Sequence, residues 1–162
     1  NPKLFRGQLL YFDLDVVILD SLDWIIELDS KYFWSVRDFR YLWAERRNEV
    51  NSSVMYFDTE KFSYVWSDFK KTPEVYMNRL HGDQNFIHRH IPRQTKQFFD
   101  INRVKSYKWE LVDGGYDMHS RTYKQPGRGT EIPRLTSIAV FHGHPNPEDV
   151  IENDSIIDKY WC

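Results

Sequence analysis

The chain has 162 residues, enough for one compact domain with a real core over residues 1–162. Its 22 basic and 24 acidic residues leave no dominant basic stripe, which argues against a nucleic-acid partner. The only cysteine, Cys162, excludes an internal disulfide framework, and no apolar run nears the roughly 18 residues of a membrane span.

No signal peptide is present, and the cysteine usage suits a reducing compartment, so a cytoplasmic location is expected. Asn1-Pro2-Lys3 is not a natural start, which leaves room for an upstream segment. Aromatic residues are abundant; most are expected in the core, and a minority are candidates to line a sugar site.

In chain order, Gln8 to Leu19 reads as one buried strand carrying two aspartates. Ser21 offers an N-cap to a short helix over Leu22 to Leu28. Tyr32 to Val36 reads as a strand ending at Arg37-Asp38, followed by a charged helix or excursion from Arg40 to Glu49. Val54 to Phe57 is strand-like after Asn51-Ser52-Ser53. Thr59 is expected to cap a helix from Glu60 to about Lys71, with Phe62, Val65, Trp66 and Phe69 on one face. Pro73 opens a further helix, and Gly82 precedes one from Asp83 to about Ile91, stopped by Pro92.

Beyond Pro92 strands dominate. Val104 to Leu111 alternates, Gly114-Gly115 marks a turn, and Gln125 to Pro133 reads as a mobile surface loop. Ser137 to Phe141 reads as a buried strand ending in His142-Gly143-His144-Pro145, and Ser155 to Trp161 as a short helix. The alternation of strands and helices predicts an α/β sandwich with a mixed sheet.

Asp13 and Asp15 are the first chemical signal. On an extended backbone residues two apart share a face, and two carboxylates so close repel each other. Burying them unpaired costs several kcal/mol each, in round terms, and a divalent cation removes both problems. An isolated Asp-X-Asp is usually a turn cap plus a surface ion pair. Here the pair ends a hydrophobic strand in an α/β pattern, where such sheets bind ligands, so the metal reading is preferred.

Leu9-Leu10-Tyr11-Phe12-Asp13-Leu14-Asp15-Val16-Val17-Ile18 resembles the DXD segment of GT-A glycosyltransferases, closest to the family-eight-like group and its bacterial and viral relatives. Asn51-Ser52-Ser53-Val54-Met55 resembles that family's donor-sugar segment, and Gly82-Asp83-Gln84-Asn85-Phe86-Ile87 its GDQ helix start. Val140-Phe141-His142-Gly143-His144-Pro145-Asn146-Pro147 resembles its late FHGXPXP block. The four blocks fall in the family's order over most of the chain. The resemblance implies a GT-A α/β/α fold and transfer of a sugar from a nucleotide-sugar, usually a UDP-sugar, to a saccharide or glycan acceptor. It also implies Mn²⁺ or Mg²⁺ held by Asp13, Asp15 and His142, with Gly143 and His144 beside the donor.

Two departures stand out. The family's late block often carries lysines where this chain has His144 and Asn146, and an imidazole does not replace a fixed charge on diphosphate. The N-terminal βαβ half that holds the nucleoside in GT-A domains has no counterpart here, so the chain looks like the C-terminal portion of such a domain.

Candidate roles follow. Asp83, four residues before Ile87, is expected on the inward face of its helix as a carboxylate for donor or acceptor hydroxyls, against an ordinary N-cap. Gln84 beside it is a hydrogen-bond partner or stabiliser of positive charge at the anomeric carbon. Asn51 and Ser52 are candidates for sugar hydroxyls, and Asp38 is a weaker one. His88 and His90 diverge by about 200° on a helix and read, with His81, as surface histidines. Arg128, Trp43, Trp66 and Trp109 read more simply as loop or packing residues than as acceptor contacts. The rival function is a non-catalytic carbohydrate- or nucleotide-binding module on the same scaffold. A nucleotidyltransferase or phosphohydrolase would add a further carboxylate set or a glycine-rich phosphate loop, and neither is found.

Overall fold

A computed structural model describes residues 5–42, 48–80, 82–112, 116–117, 122–123 and 132–161. His81, Trp43, Gly114-Gly115 and Arg128 lie outside the described residues, as does most of the expected loop after Gln125. The chain divides into two compact units, one of Asn1–Asp13 with Trp24–Phe99, the other of Leu14–Asp23 with Asp100–Cys162.

The first unit is built on a four-stranded mixed sheet of order β1-β4-β3-β5: β1 (Gln8–Phe12), β3 (Phe33–Arg37), β4 (Val50–Asp58) and β5 (Lys96–Phe98). β4 is antiparallel to both β1 and β3, and β5 joins β3 in parallel. Asn51-Ser52-Ser53 lie within β4 rather than before it. The register against β3 slips there, with Ser35 opposite Met55 but Val36 opposite Asn51, so Ser52, Ser53 and Val54 form the irregular stretch between the two paired positions. The Asn51 side chain takes the Ser53 N–H at 3.0 Å, satisfying a backbone donor near the slip.

Phe33, Met55, Phe62 and Ile91 form the buried centre of this unit, with Phe57, Val65 and Ile87 packed on it. Each such side chain stabilises the fold by roughly 1.5–3 kcal/mol when fully buried. The helix expected from Glu60 is shorter, α2 (Ser63–Phe69), because Asp58 rather than Thr59 organises the entry. Asp58 Oδ1 accepts from the N–H groups of Glu60 and Lys61, whereas Thr59 Oγ1 donates to the carbonyls of Phe5 and Gly7. α3 (Pro73–Arg79) begins at its proline, and α4 (Asp83–His90) follows Gly82 and ends before Pro92.

The second unit holds a three-stranded sheet of order β2-β9-β6, from β2 (Val16–Ile18), β6 (Val104–Ser106) and β9 (Ile138–Val140). β2 is antiparallel and β6 parallel to β9. A two-stranded ribbon, β7 (Tyr116–Asp117) with β8 (Thr122–Tyr123), completes its strands among the described residues. Val17, Leu19, Tyr107, Leu111, Ala139, Phe141, Val150 and Ile157 are its core, with Tyr107 stacked on Phe141 at 4.1 Å between centroids. Buried Asp154 caps α5 (Ser155–Tyr160) by accepting from the N–H groups of Ile156 and Ile157, and also accepts from the Tyr107 hydroxyl at 2.7 Å.

Two strand expectations are corrected. Gln8 to Leu19 is not one strand, since the backbone turns at Leu14-Asp15, with Leu14 93% exposed, and the flanking pieces join different sheets. The two aspartates therefore do not share the face of a continuous strand. Val104 to Leu111 is a strand only to Ser106, after which Tyr107–Leu111 forms a π-helical turn. Reciprocal caps explain the switch: Ser106 Oγ accepts from Trp109 N–H at 3.3 Å, and the Glu110 carboxylate accepts from Ser106 N–H at 2.8 Å. The expected helix after Ser21 shrinks to α1 (Asp23–Ile26). No helix among the described residues is long and apolar enough to cross a membrane.

Candidate active site

In the first unit the end of β3, the slipped part of β4 and the start of α4 carry most of the expected residues. Asp38 is 3% exposed, and its carboxylate is gripped by Arg40 through Nε at 2.9 Å, Nη2 at 2.6 Å and the backbone N–H at 2.8 Å. This two-pronged pair holds the Arg40 guanidinium more firmly protonated than usual, chiefly through its hydrogen bonds to Asp38. The second carboxylate oxygen accepts from Gln84 Nε2 at 3.2 Å, linking residues 46 apart in sequence.

Asp83 behaves differently from its expected inward placement. It is exposed, and its Oδ1 folds back to accept from Gln84 N–H at 2.8 Å. At the first position of a helix, capping an otherwise unsatisfied N–H outweighs the i, i+4 alignment with Ile87. Gln84, half-buried, is the residue that turns inward. Asn51 and Ser52 are 8% and 5% exposed, built into β4. Asp13 closes this group: its N–H donates to Ser53 O at 2.8 Å, and its carboxylate accepts from the Tyr11 hydroxyl at 2.7 Å.

An apolar cleft of about 720 Å³ opens beside Asp83, lined among others by Phe33, Met55, Trp66, Phe69 and Tyr76. Trp66 thus stands in this cleft, stacked on Phe69. The histidines of α4 are not simple surface groups. His88 is half-buried, its Nδ1 meeting Val50 N–H at 3.3 Å and Lys96 Nζ at 3.2 Å. Burial first, and the Lys96 cation second, lower its pKa. His90 stacks on Phe86 at 3.9 Å, and its Nδ1 lies 2.9 Å from Phe86 O.

In the second unit, Asp15 O accepts from Phe141 N–H at 3.0 Å, which brings the second aspartate alongside the strand end that carries His142. The His142 ring is fixed from β6 and the π-helical turn. Its Nε2 lies 2.7 Å from Ser106 Oγ, and its ring meets Trp109 edge-on at 5.0 Å. Lys108, 2% exposed, reaches under the loop and donates to the carbonyls of His142 and, at 3.1 Å, His144. Burial lowers the Lys108 pKa. Gly143 adopts φ +69°, a left-handed conformation that glycine accepts without a Cβ penalty. His144 is exposed, with Nδ1 3.5 Å from Asp149.

Arg40, Ser106 and Lys108 are the residues that sequence reasoning missed. Asp38 and Arg40 do carry a signal, an acid and a base two apart at a strand end. Ser106 and Lys108 carry none, because in an alternating pattern a lysine reads as solvent-facing. As to a cation, two carboxylates and an imidazole suit Mn²⁺ in donor chemistry. Among the described residues, however, no three His, Cys, Asp or Glu side chains stand together as a ready-made metal cluster.

No family model and no curated protein matches the chain. Among solved structures it is similar to the galactosyltransferase LgtC in complex with donor and acceptor sugar analogs, at TM-score 0.60 and 14% identity over 96% of this chain and 62% of that one. An active-site glutamine-to-glutamate mutant of LgtC matches at TM-score 0.54 and 15% identity, over 87% of this chain and 55% of that one. The fold is the mixed α/β fold of these glycosyltransferases. The chain spans less than two thirds of their length.

Proposed function

We propose that this chain is the donor-sugar and acceptor portion of a nucleotide-sugar glycosyltransferase. The Asp38–Gln84 hydrogen bond carries the reading, because it gathers two sequence-distant candidates at the end of one sheet, with Asp83 adjacent. The fold likeness to a galactosyltransferase supports it, as does that enzyme's own active-site glutamine, for which Gln84 is the counterpart this site offers.

In this reading the half-buried Gln84 amide faces the anomeric carbon, and exposed Asp83 meets hydroxyls of the donor or the acceptor's attacking hydroxyl. Asp38 fixes Gln84, while Asn51 and Ser52 shape the wall against which the sugar rests. Asp13, Asp15 and His142 are the proposed holders of Mn²⁺ or Mg²⁺, on the strength of the DXD and FHG motifs. When bound, such an ion stabilises charge on a departing diphosphate. The donor is proposed to be a UDP-sugar and the acceptor a saccharide or glycan.

Calorimetric titration in the presence of Mn²⁺ separates this reading from nucleotidyl or phosphoryl transfer. Binding of an intact nucleotide-sugar in preference to a nucleoside triphosphate, weakened by Gln84→Ala, is expected. Tighter binding of the triphosphate would favour nucleotidyl or phosphoryl chemistry instead.

A further inference from the structure

A glutamine amide is nearly symmetrical in shape but opposite in polarity at its two ends. Packing alone does not decide whether the NH₂ or the oxygen faces a substrate. A carboxylate does decide it, because an ionised carboxylate only accepts hydrogen bonds. Asp38 offers such an acceptor to Gln84 at 3.2 Å. The fork of Arg40, at 2.9 and 2.6 Å, with the Arg40 N–H at 2.8 Å, holds that carboxylate charged and fixed in rotation. Asp38 N–H donates to Glu49 O at 3.0 Å, so its backbone is held too.

We propose that Asp38 and Arg40 are positioning residues that set the polarity of Gln84, holding its NH₂ toward Asp38 and presenting Oε1 on the opposite side. The reversed amide would set Oε1 against a carboxylate oxygen, two acceptors with no proton between them. The lock itself follows from these contacts; its consequence for catalysis rests on the sugar-transfer reading. With Oε1 outward, Gln84 offers partial negative charge to positive charge developing on a sugar, whereas an outward NH₂ would oppose it. Arg40 acts through Asp38, and both act through Gln84.

Asp38→Asn tests this at constant shape. An asparagine can donate to Gln84 Oε1, so both amide polarities become allowed. Arg40→Gln removes the fork, and Arg40→Lys restores charge without it. The first readout is the Gln84 side-chain ¹⁵NH₂ pair in substrate-free protein, assigned by its loss in Gln84→Ala. Folded Asp38→Asn and Arg40→Gln should shift that pair and speed its hydrogen exchange, with Arg40→Lys intermediate. The second is steady-state turnover of a nucleotide-sugar, where kcat should fall by about 10²-fold with donor KM nearly unchanged. An unaltered Gln84 NH₂ pair in both variants would overturn the lock. A shifted pair with unchanged kcat would overturn its catalytic consequence. If the wild-type protein turned over no nucleotide-sugar, the sugar-transfer reading would fail while the NMR readout still decided the lock.

Discussion

Nε2 of His142 lies 2.7 Å from Ser106 Oγ, so the ring at the end of β9 is oriented by a side chain from the neighbouring parallel strand β6. Ser106 is fully buried and also accepts from Trp109 N–H, which leaves its hydroxyl little freedom to turn away. If His142 is a metal ligand, Ser106 is the partner that sets its ring. Ser106→Ala should then weaken Mn²⁺ binding by about 10- to 100-fold in calorimetry, the usual cost of removing such a partner. The His142 imidazole cross-peaks should move in the same variant while those of His90 stay in place. Unchanged Mn²⁺ affinity would remove His142 from the metal set or Ser106 from its support.

Gly143 gives a backbone test of the same loop. A Cβ there would lie 3.7 Å from Lys108 Nζ, an ordinary contact, so crowding is not the obstacle. The cost comes from φ +69°, which an L-residue adopts at roughly 1–2 kcal/mol. Gly143→Ala should lower Tm by about 2–4 °C per kcal/mol in a chain of this size. Gly143→Asn should cost less, because asparagine tolerates the left-handed region. Equal Tm for alanine, asparagine and wild type would contradict this conformation.

His88 makes stability depend on pH in a defined window. Its folded pKa is lowered, first by burial and then by Lys96, with Arg89 adding slightly and Glu49 opposing. The unfolded chain, whose imidazole titrates near pH 6.5, therefore holds its proton more tightly than the folded chain. The stabilisation is intact above about pH 6.5 and is lost as pH falls from there toward the folded pKa. Thermal unfolding at about pH 7.5 and about pH 5.5 should show a smaller drop for His88→Asn than for wild type. Parallel drops in the two proteins would show that His88 contributes nothing to the acid sensitivity.

Much of this architecture is legible in the residues. Pro73 and Pro92 mark helix limits because proline cannot continue a hydrogen-bond ladder, and the strand read over Tyr32 to Val36 is found at Phe33–Arg37. Strand partnership is not legible: nothing in Gln8 to Leu19 says that its two halves join different sheets. The π-helical turn is hidden for a similar reason, since it depends on Glu110 folding back onto Ser106 N–H. At the site, Asp83 and Gln84 can be named from the sequence but not distinguished in orientation. Only buried Asp38, 46 residues from Gln84 and paired with Arg40, shows which of them turns inward.

The most direct test is release of nucleoside diphosphate from a panel of nucleotide-sugars, with and without Mn²⁺, by the protein in its longest native form. The account predicts slow, Mn²⁺-dependent hydrolysis of one donor, reduced by about 10²-fold or more in Asp15→Asn, His142→Ala and Gln84→Ala. Folded protein with no turnover and no metal-dependent binding across the panel would contradict it, and would make a non-catalytic binding module the better reading of this scaffold.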